Sequence, residues 1–164
     1  MRLVNEVIQA SGEETGKVVL NAFEPCARFD LPRWHIDGRT HKRPCDNQYR
    51  FAIALKGAST MLYRLPDDKK EEFFGLYSKK NDMDRRQELA AFLGDAGAIS
   101  FAQPNQGAIF LMGSPAEAAI HSEPAIKEPR LFLGIIPGSK AEIENWNQQH
   151  SSGDSIEKSY KVFS

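Results

Sequence analysis

The chain has 164 residues, of which 41% are apolar and 26% charged. That is enough for one folded, soluble domain with its own core and too polar for a chain of membrane spans. Lysine and arginine number 21 against 22 aspartates and glutamates, a net charge of −1, which excludes a generally basic nucleic-acid coat and an acidic tail protein. The two cysteines, Cys26 and Cys45, cannot build a disulfide framework.

Leu3, Val4, Val7 and Ile8 recur at helical spacing, and Gly12 ends that segment. Asn5, Glu6 and Gln9 interrupt the apolar residues, so this start does not read as a secretory signal. The chain is therefore expected to be intracellular and cytoplasmic, with reduced thiols. Lys17 to Phe23 reads as a strand. Tyr49 to Lys56 alternates, with large residues at 49, 51, 53 and 55 and Arg50 pointing the other way, as in a half-buried strand. Gly57-Ala58 permits a turn. Ser59 to Leu65 is then predicted to pair antiparallel with the preceding strand.

Pro66-Asp67-Asp68 opens a helical region whose apolar face holds Phe73, Phe74 and Tyr77. A second helix starts near Asp82, carries Leu89, Phe92 and Leu93 on one stripe, and stops at Gly94. Strands follow at Ala98–Ala102, Gly107–Met112 and Arg130–Ile136. Phe51, Phe101, Phe110 and Phe132 fall at core-compatible strand positions. Ser139-Lys140-Ala141-Glu142 is a capping box that starts a last helix, with Ile143 and Trp146 facing inward. Residues 148–158 read as a flexible polar tail. Tyr160, Val162 and Phe163 beyond it are expected to dock back, on this chain or on the partner in a homodimer. The order of elements favours a single α+β domain over 1–164. It is mainly an antiparallel β barrel or sandwich, with a helical insertion at about 67–94 and terminal helices.

The densest polar segment is Arg33 to Arg50. It holds five basic residues, Arg33, Arg39, Lys42, Arg43 and Arg50, against Asp37 and Asp46, a local charge of +3. Such a surface can hold a carboxylate or phosphate of a small ligand; an ordinary solvated loop has the same composition. Arg50, Arg39, Arg43 and His35 are the candidate ligand-binding residues, with nucleic acid the less expected partner. His41, Asp46 and His121 carry the right atoms for a divalent metal such as Zn, Ni, Mn or Fe. As side chains satisfied by ordinary hydrogen bonds they would need no metal. His41 and His121 are also the candidate acid/base groups. Cys45, flanked by His41, Lys42 and Arg43, together with His121 resembles the layout of papain-like amidases and is the alternative catalytic pair. A third reading is a non-enzymatic interaction module with Phe73 or Phe74 exposed as its contact surface. No GxGxxG, P-loop or Gly-x-Ser-x-Gly motif occurs.

The outline from Gln48 to Gly138 resembles a cupin-type double-stranded β-helix. It has a strand pair at Tyr49–Leu55 and Ser59–Leu65 around Gly57. The Pro104–Pro115 segment, with its glycine, short apolar strand and Gly/Pro turn, is followed by His121 and then by Arg130–Ile136. Together with Trp34-His35-Ile36-Asp37-Gly38, this is similar to the sugar-processing group that includes the evolved β-galactosidase β subunit and sialic-acid anomerase-like proteins. Cys45 and Asp46 stand about where that group has a histidine and a glutamate. The resemblance implies a concave ligand site in a barrel mouth and an isomerase- or lyase-type reaction on a carbohydrate or other polar or acidic metabolite.

Overall fold

Strand alternation sorts this sequence onto two sheets that face one another across a cavity. A computed structural model of the chain describes residues 2–26, 30–38, 47–78, 82–94, 98–103, 105–114, 117–150 and 159–160. The elements are α1 (Arg2–Ala10), β1 (Thr15–Phe23), β2 (Gln48–Lys56), β3 (Met61–Tyr63), a 3-10 turn at Asp67–Lys69, α2 (Lys70–Tyr77), α3 (Asp82–Gly94), β4 (Ile99–Phe101), β5 (Ala108–Met112), β6 (Ile120–Ser122), β7 (Arg130–Gly138), α4 (Lys140–His150) and β8 (Ser159–Tyr160). Among the described residues the fold is α+β, with four α-helices and two antiparallel sheets.

The larger sheet has the order β5-β2-β7-β1-β8 and the smaller one β4-β3-β6. Register divides the larger sheet's two faces. Val18 and Phe51 both stand opposite Ile135, and these three pack with Val4 and Ile8 of α1. The residues one step along the strands face the other way, because side chains alternate across a pleat. They include Asn21, Arg50, Ala52, Phe110, Arg130 and Phe132, and all of them line the cavity.

The smaller sheet has the same two-faced logic. Met61, Tyr63 and Ile120 join Trp34 in a core built against Phe73, Leu89 and Leu93 of α2 and α3. His121, paired with Leu62 of β3, faces the cavity instead. On the open side of β6, His35 completes an antiparallel bridge to His121, each main-chain N–H donating to the other's carbonyl at 2.9 Å. The segment around His35 is thus tied to the edge of this three-stranded sheet by one isolated bridge. It also reaches the larger sheet's edge, where the Gly113 N–H donates to the Asp37 carbonyl at 2.9 Å; the residue before β6 does the same, the Ala119 N–H donating to the Leu111 carbonyl of β5 at 2.9 Å.

Several expectations need correction. The barrel is realised as two sheets, and no closed barrel forms among the described residues. β2 and β3 do not pair with one another. Both edges of β2 are already taken, by β5 and β7, so the chain turns at Gly57 (φ +78°) and crosses to the other sheet. The helical region at 67–94, between β3 and β4, is the layer that buries the back of the smaller sheet. Phe73 is fully buried and Phe74 packs against the same core, so neither forms the exposed contact surface envisaged for an interaction module. Phe101 is 55% exposed on β4 and is not a core residue. Helix α4 runs on to His150, so the polar tail starts later than residue 148.

Other expectations hold. The Ser139–Glu142 capping box forms, with Glu142 accepting from both the Ser139 N–H (2.9 Å) and its hydroxyl (2.8 Å). The tail does return: Ser159–Tyr160 pairs with Val18 and Val19 at the edge of β1. Val162 and Phe163 lie outside the described residues. No helix among the described residues is long and apolar enough to cross a membrane.

Candidate functional site

Two short extended segments build one wall of the cavity. In Arg33-Trp34-His35-Ile36-Asp37 the alternation sends Trp34 and Ile36 into the helix-backed core. Arg33, His35 and Asp37 go into the cavity. Opposite them, β6 and the residue after it present His121, Ser122 and Glu123. The His35–His121 bridge fixes the register, so Arg33 meets Glu123 directly across the pair, Nη2 to Oε1 at 3.0 Å. Helix α2 braces this wall from behind: the Tyr77 hydroxyl lies 3.4 Å from both the N–H and the carbonyl oxygen of Ile36. The cavity encloses about 430 Å³, within the range of small-molecule sites.

At its centre His35, Asp37 and His121 bring one donor atom each within 4.8 Å of one another. The tautomers follow from the main chain. His35 Nδ1 lies 2.7 Å from the Arg33 carbonyl oxygen and His121 Nδ1 lies 3.0 Å from that of Ala119. A carbonyl oxygen only accepts, so both Nδ1 atoms carry the proton. In the neutral rings the two Nε2 atoms are then bare lone pairs. Nε2 of His35 stands 3.7 Å from Asp37 Oδ1, and Nε2 of His121 stands 3.4 Å from Asp37 Oδ2. Three acceptors facing one another repel unless a positive charge lies among them. A proton on His121 Nε2 supplies it for one contact. A divalent cation supplies it for all three.

The residues fit a cation on chemical grounds. Two imidazole nitrogens and one carboxylate are a recognised set for divalent first-row metals. Donor atoms about 2.1 Å from a tetrahedral or octahedral ion stand roughly 3 to 3.5 Å apart, so the His121–Asp37 separation of 3.4 Å already suits an ion, and the wider spacing of the set, up to 4.8 Å, would have to close on it. The surrounding shell is also in place. Metal-binding histidines normally donate their other N–H to a carbonyl or carboxylate, and ligating carboxylates are themselves hydrogen-bonded. Here both Nδ1–H groups are so anchored, and Arg50 Nη1 donates to Asp37 Oδ2 at 2.6 Å. Gly134 on β7 makes room for that arm. A Cβ there would come within 3.0 Å of Arg50 Nη2. Phe110 packs on the His121 ring, with centroids 4.4 Å apart.

Electrostatics prepare the same atoms. Burial, reinforced by the neighbouring His121, pushes the His35 pKa down to about 4 against an opposing pull from Glu123, so its ring is neutral at pH 7. Burial alone would raise the Asp37 carboxyl, but the hydrogen bond that His121 gives when its Nε2 is protonated and the Arg50 charge outweigh it and hold the group well below the usual carboxylate range. Glu123 follows the same pattern: burial opposes ionisation, while the charge and hydrogen bonds of Arg33 bring its pKa down to about 2.

Of the sequence-derived candidates, the structure brings His35, His121 and Arg50 together on this cavity. Arg39, His41, Arg43, Cys45 and Asp46 lie outside the described residues. Among the described residues, Asp37 and His35 are the carboxylate and imidazole that stand beside His121. Arg50 spends one guanidinium nitrogen on Asp37 rather than leaving both for a ligand. Glu123, Arg86 and Arg130 were not singled out from sequence. The period-2 alternation of Arg33–Asp37 was the signal available for the first wall.

Compared with protein-family models, curated protein sequences and solved structures, the chain matches none of them. The site's chemistry therefore has to be read from its own atoms.

Proposed function

We propose that this chain is a small-molecule enzyme that holds a divalent cation on His35, Asp37 and His121. Its reaction would be isomerase- or lyase-type acid/base chemistry on a polar, carbohydrate-like metabolite. The observation that carries this reading is the convergence of the three acceptor atoms, with both Nδ1–H groups anchored so that both Nε2 atoms turn toward Asp37. A bound cation would supply Lewis acidity, polarising a carbonyl or hydroxyl oxygen of the substrate. The protein's own groups do the rest. Arg50 fixes the Asp37 carboxylate, and Phe110 and Phe132 give the cavity apolar surface against which a carbon skeleton can lie. Glu123 is the remaining carboxylate of the wall. Its pairing with Arg33 keeps it ionised, so it can accept a proton from a carbon next to a polarised carbonyl, though as a weak base. The outlined resemblance to sugar-processing cupins supports a carbohydrate as the metabolite class.

The test is solvent exchange. Protein loaded with Mn2+ or Zn2+ is incubated in D2O with a panel of aldoses, ketoses and sugar acids, and each is followed by proton NMR. Deuterium is expected at the carbon beside the carbonyl of at least one compound, and Glu123→Gln is expected to abolish its entry. No exchange in any compound above the protein-free rate would overturn the reading.

A further inference from the structure

The same cavity contains a second set of groups that the cation site does not use. Arg86 of α3 and Arg130 of β7 both line it, and they are 4% and 2% exposed. Arg130 donates from Nε to the Ala58 carbonyl (2.8 Å) and from Nη2 to the Thr60 hydroxyl (3.3 Å). Its Nη1 has no hydrogen-bond partner among the described residues. Arg86 donates from Nη2 to the Leu31 carbonyl at 3.1 Å, while its Nε has no partner among the described residues. Arg50 Nε, on the same cavity, is in the same position.

Neither Arg86 nor Arg130 forms an ion pair with a carboxylate among the described residues. The acids of the cavity are committed elsewhere, Glu123 to Arg33 and Asp37 to Arg50. A buried cation without a counter-ion is costly, and a buried N–H without an acceptor adds to that. Burial is the main influence on Arg130 and lowers its pKa, against an opposing pull from Glu123. The Arg130 guanidinium also lies over the face of Phe132, 4.9 Å from its centroid, which fixes its plane. Guanidinium groups held rigid with free N–H donors are suited to oxyanions.

We infer that Arg86 and Arg130 form an oxyanion subsite that takes the carboxylate or phosphate of the substrate, while its polar body extends to His35, Asp37 and His121. The inference rests on the proposed reading of the cavity as a substrate site and narrows its substrates to anionic polyols such as sugar acids or sugar phosphates. It also relocates anion binding from Arg50, where the sequence suggested it, to two arginines that form no ion pair among the described residues.

The experiment is thermal unfolding of metal-free protein titrated with inorganic phosphate or with acetate, against chloride at constant ionic strength. Phosphate stabilises many proteins weakly by exclusion from their surface, so saturation in the millimolar range is the readout. Wild type is expected to saturate with at least one of the two. Response to phosphate alone assigns phosphorylated substrates, and response to acetate alone assigns carboxylates. Arg86→Gln and Arg130→Gln are each expected to weaken the apparent affinity by roughly tenfold or more, the size expected for a lost hydrogen bond to a charged group. If Arg130→Gln does not fold, Arg86→Gln decides. Absence of saturation in wild type, or wild-type affinity in the folded variants, would overturn the subsite. Titration of the same samples with Mn2+ separates the two claims: saturation with anion but no Mn2+ uptake keeps the subsite and removes the cation.

Discussion

His121→Ala is expected to lower the affinity for a divalent cation by more than roughly 100-fold, because loss of an outer-shell partner alone typically costs 10- to 100-fold and here a ligand itself is removed. The variant keeps its place in the sheet. The pairing of β6 with β3 and with His35 runs through the main chain, which alanine retains. It does lose the ring contact with Phe110, so a modest fall in stability accompanies the loss of affinity. His35→Gln is the companion variant. It removes one imidazole at a position that is less buried than His121. Isothermal titration with Mn2+ and Zn2+ on folded samples of both variants reads the effect. Affinities within threefold of wild type for both variants would exclude the two histidines as ligands.

Phe73→Ala is expected to destabilise the fold by about 3 to 5 kcal/mol, the usual range for truncating a buried phenylalanine. Phe73 is fully buried. It meets Phe74 edge-on at 5.3 Å and stacks with Tyr77 at 5.6 Å. It belongs to the same core as Trp34, Tyr63 and Ile120, the inward residues of the strands whose other face carries His35 and His121. Tyr77 is also the side chain that braces Ile36. Stability of the wall that carries His35 and His121 therefore depends on a helix pair that contributes neither residue. Phe101→Ala is the control, since Phe101 is exposed and substitutions at such sites usually stay within about 0.5 kcal/mol. Urea unfolding of the two variants compares them. Equal midpoints would mean that α2 and α3 do not support the smaller sheet.

Local pattern made much of this fold legible in the sequence. The amphipathic stripe of Leu3, Val4, Val7 and Ile8 placed α1, and the Ser139–Glu142 box placed the start of α4 to the residue. Strands β1, β2, β5 and β7 showed as alternating or β-branched runs. What local pattern does not carry is pairing. Tyr49–Lys56 and Ser59–Leu65 read as a hairpin because a glycine joins them, yet strand edges are assigned by partners far along the chain, here β5 and β7. Of the three-residue strands, β6 was lost. Ile120–Ser122 is three residues long and is followed by a proline-containing stretch, so nothing in its composition separates it from a loop.

The site was legible only in part, for the same reason. His35, His121 and Arg50 were recognised by residue type, and the charge of the Arg33–Arg50 segment marked the region. Asp37 was passed over although Arg33-Trp34-His35-Ile36-Asp37 alternates polar with apolar. Read as a strand, that pattern puts Arg33, His35 and Asp37 on one face. Arg86 and Arg130 could not be found this way. An arginine on a helix or at a strand start is ordinarily solvated, and only tertiary packing shows that these two are buried on one cavity.

The most direct measurement of the central claim is titration of metal-free protein with Mn2+, followed by electron paramagnetic resonance of the free ion. The account predicts one tight site per chain, lost when Asp37 is replaced by alanine. Uptake of no Mn2+, or an unchanged site in Asp37→Ala, would contradict it.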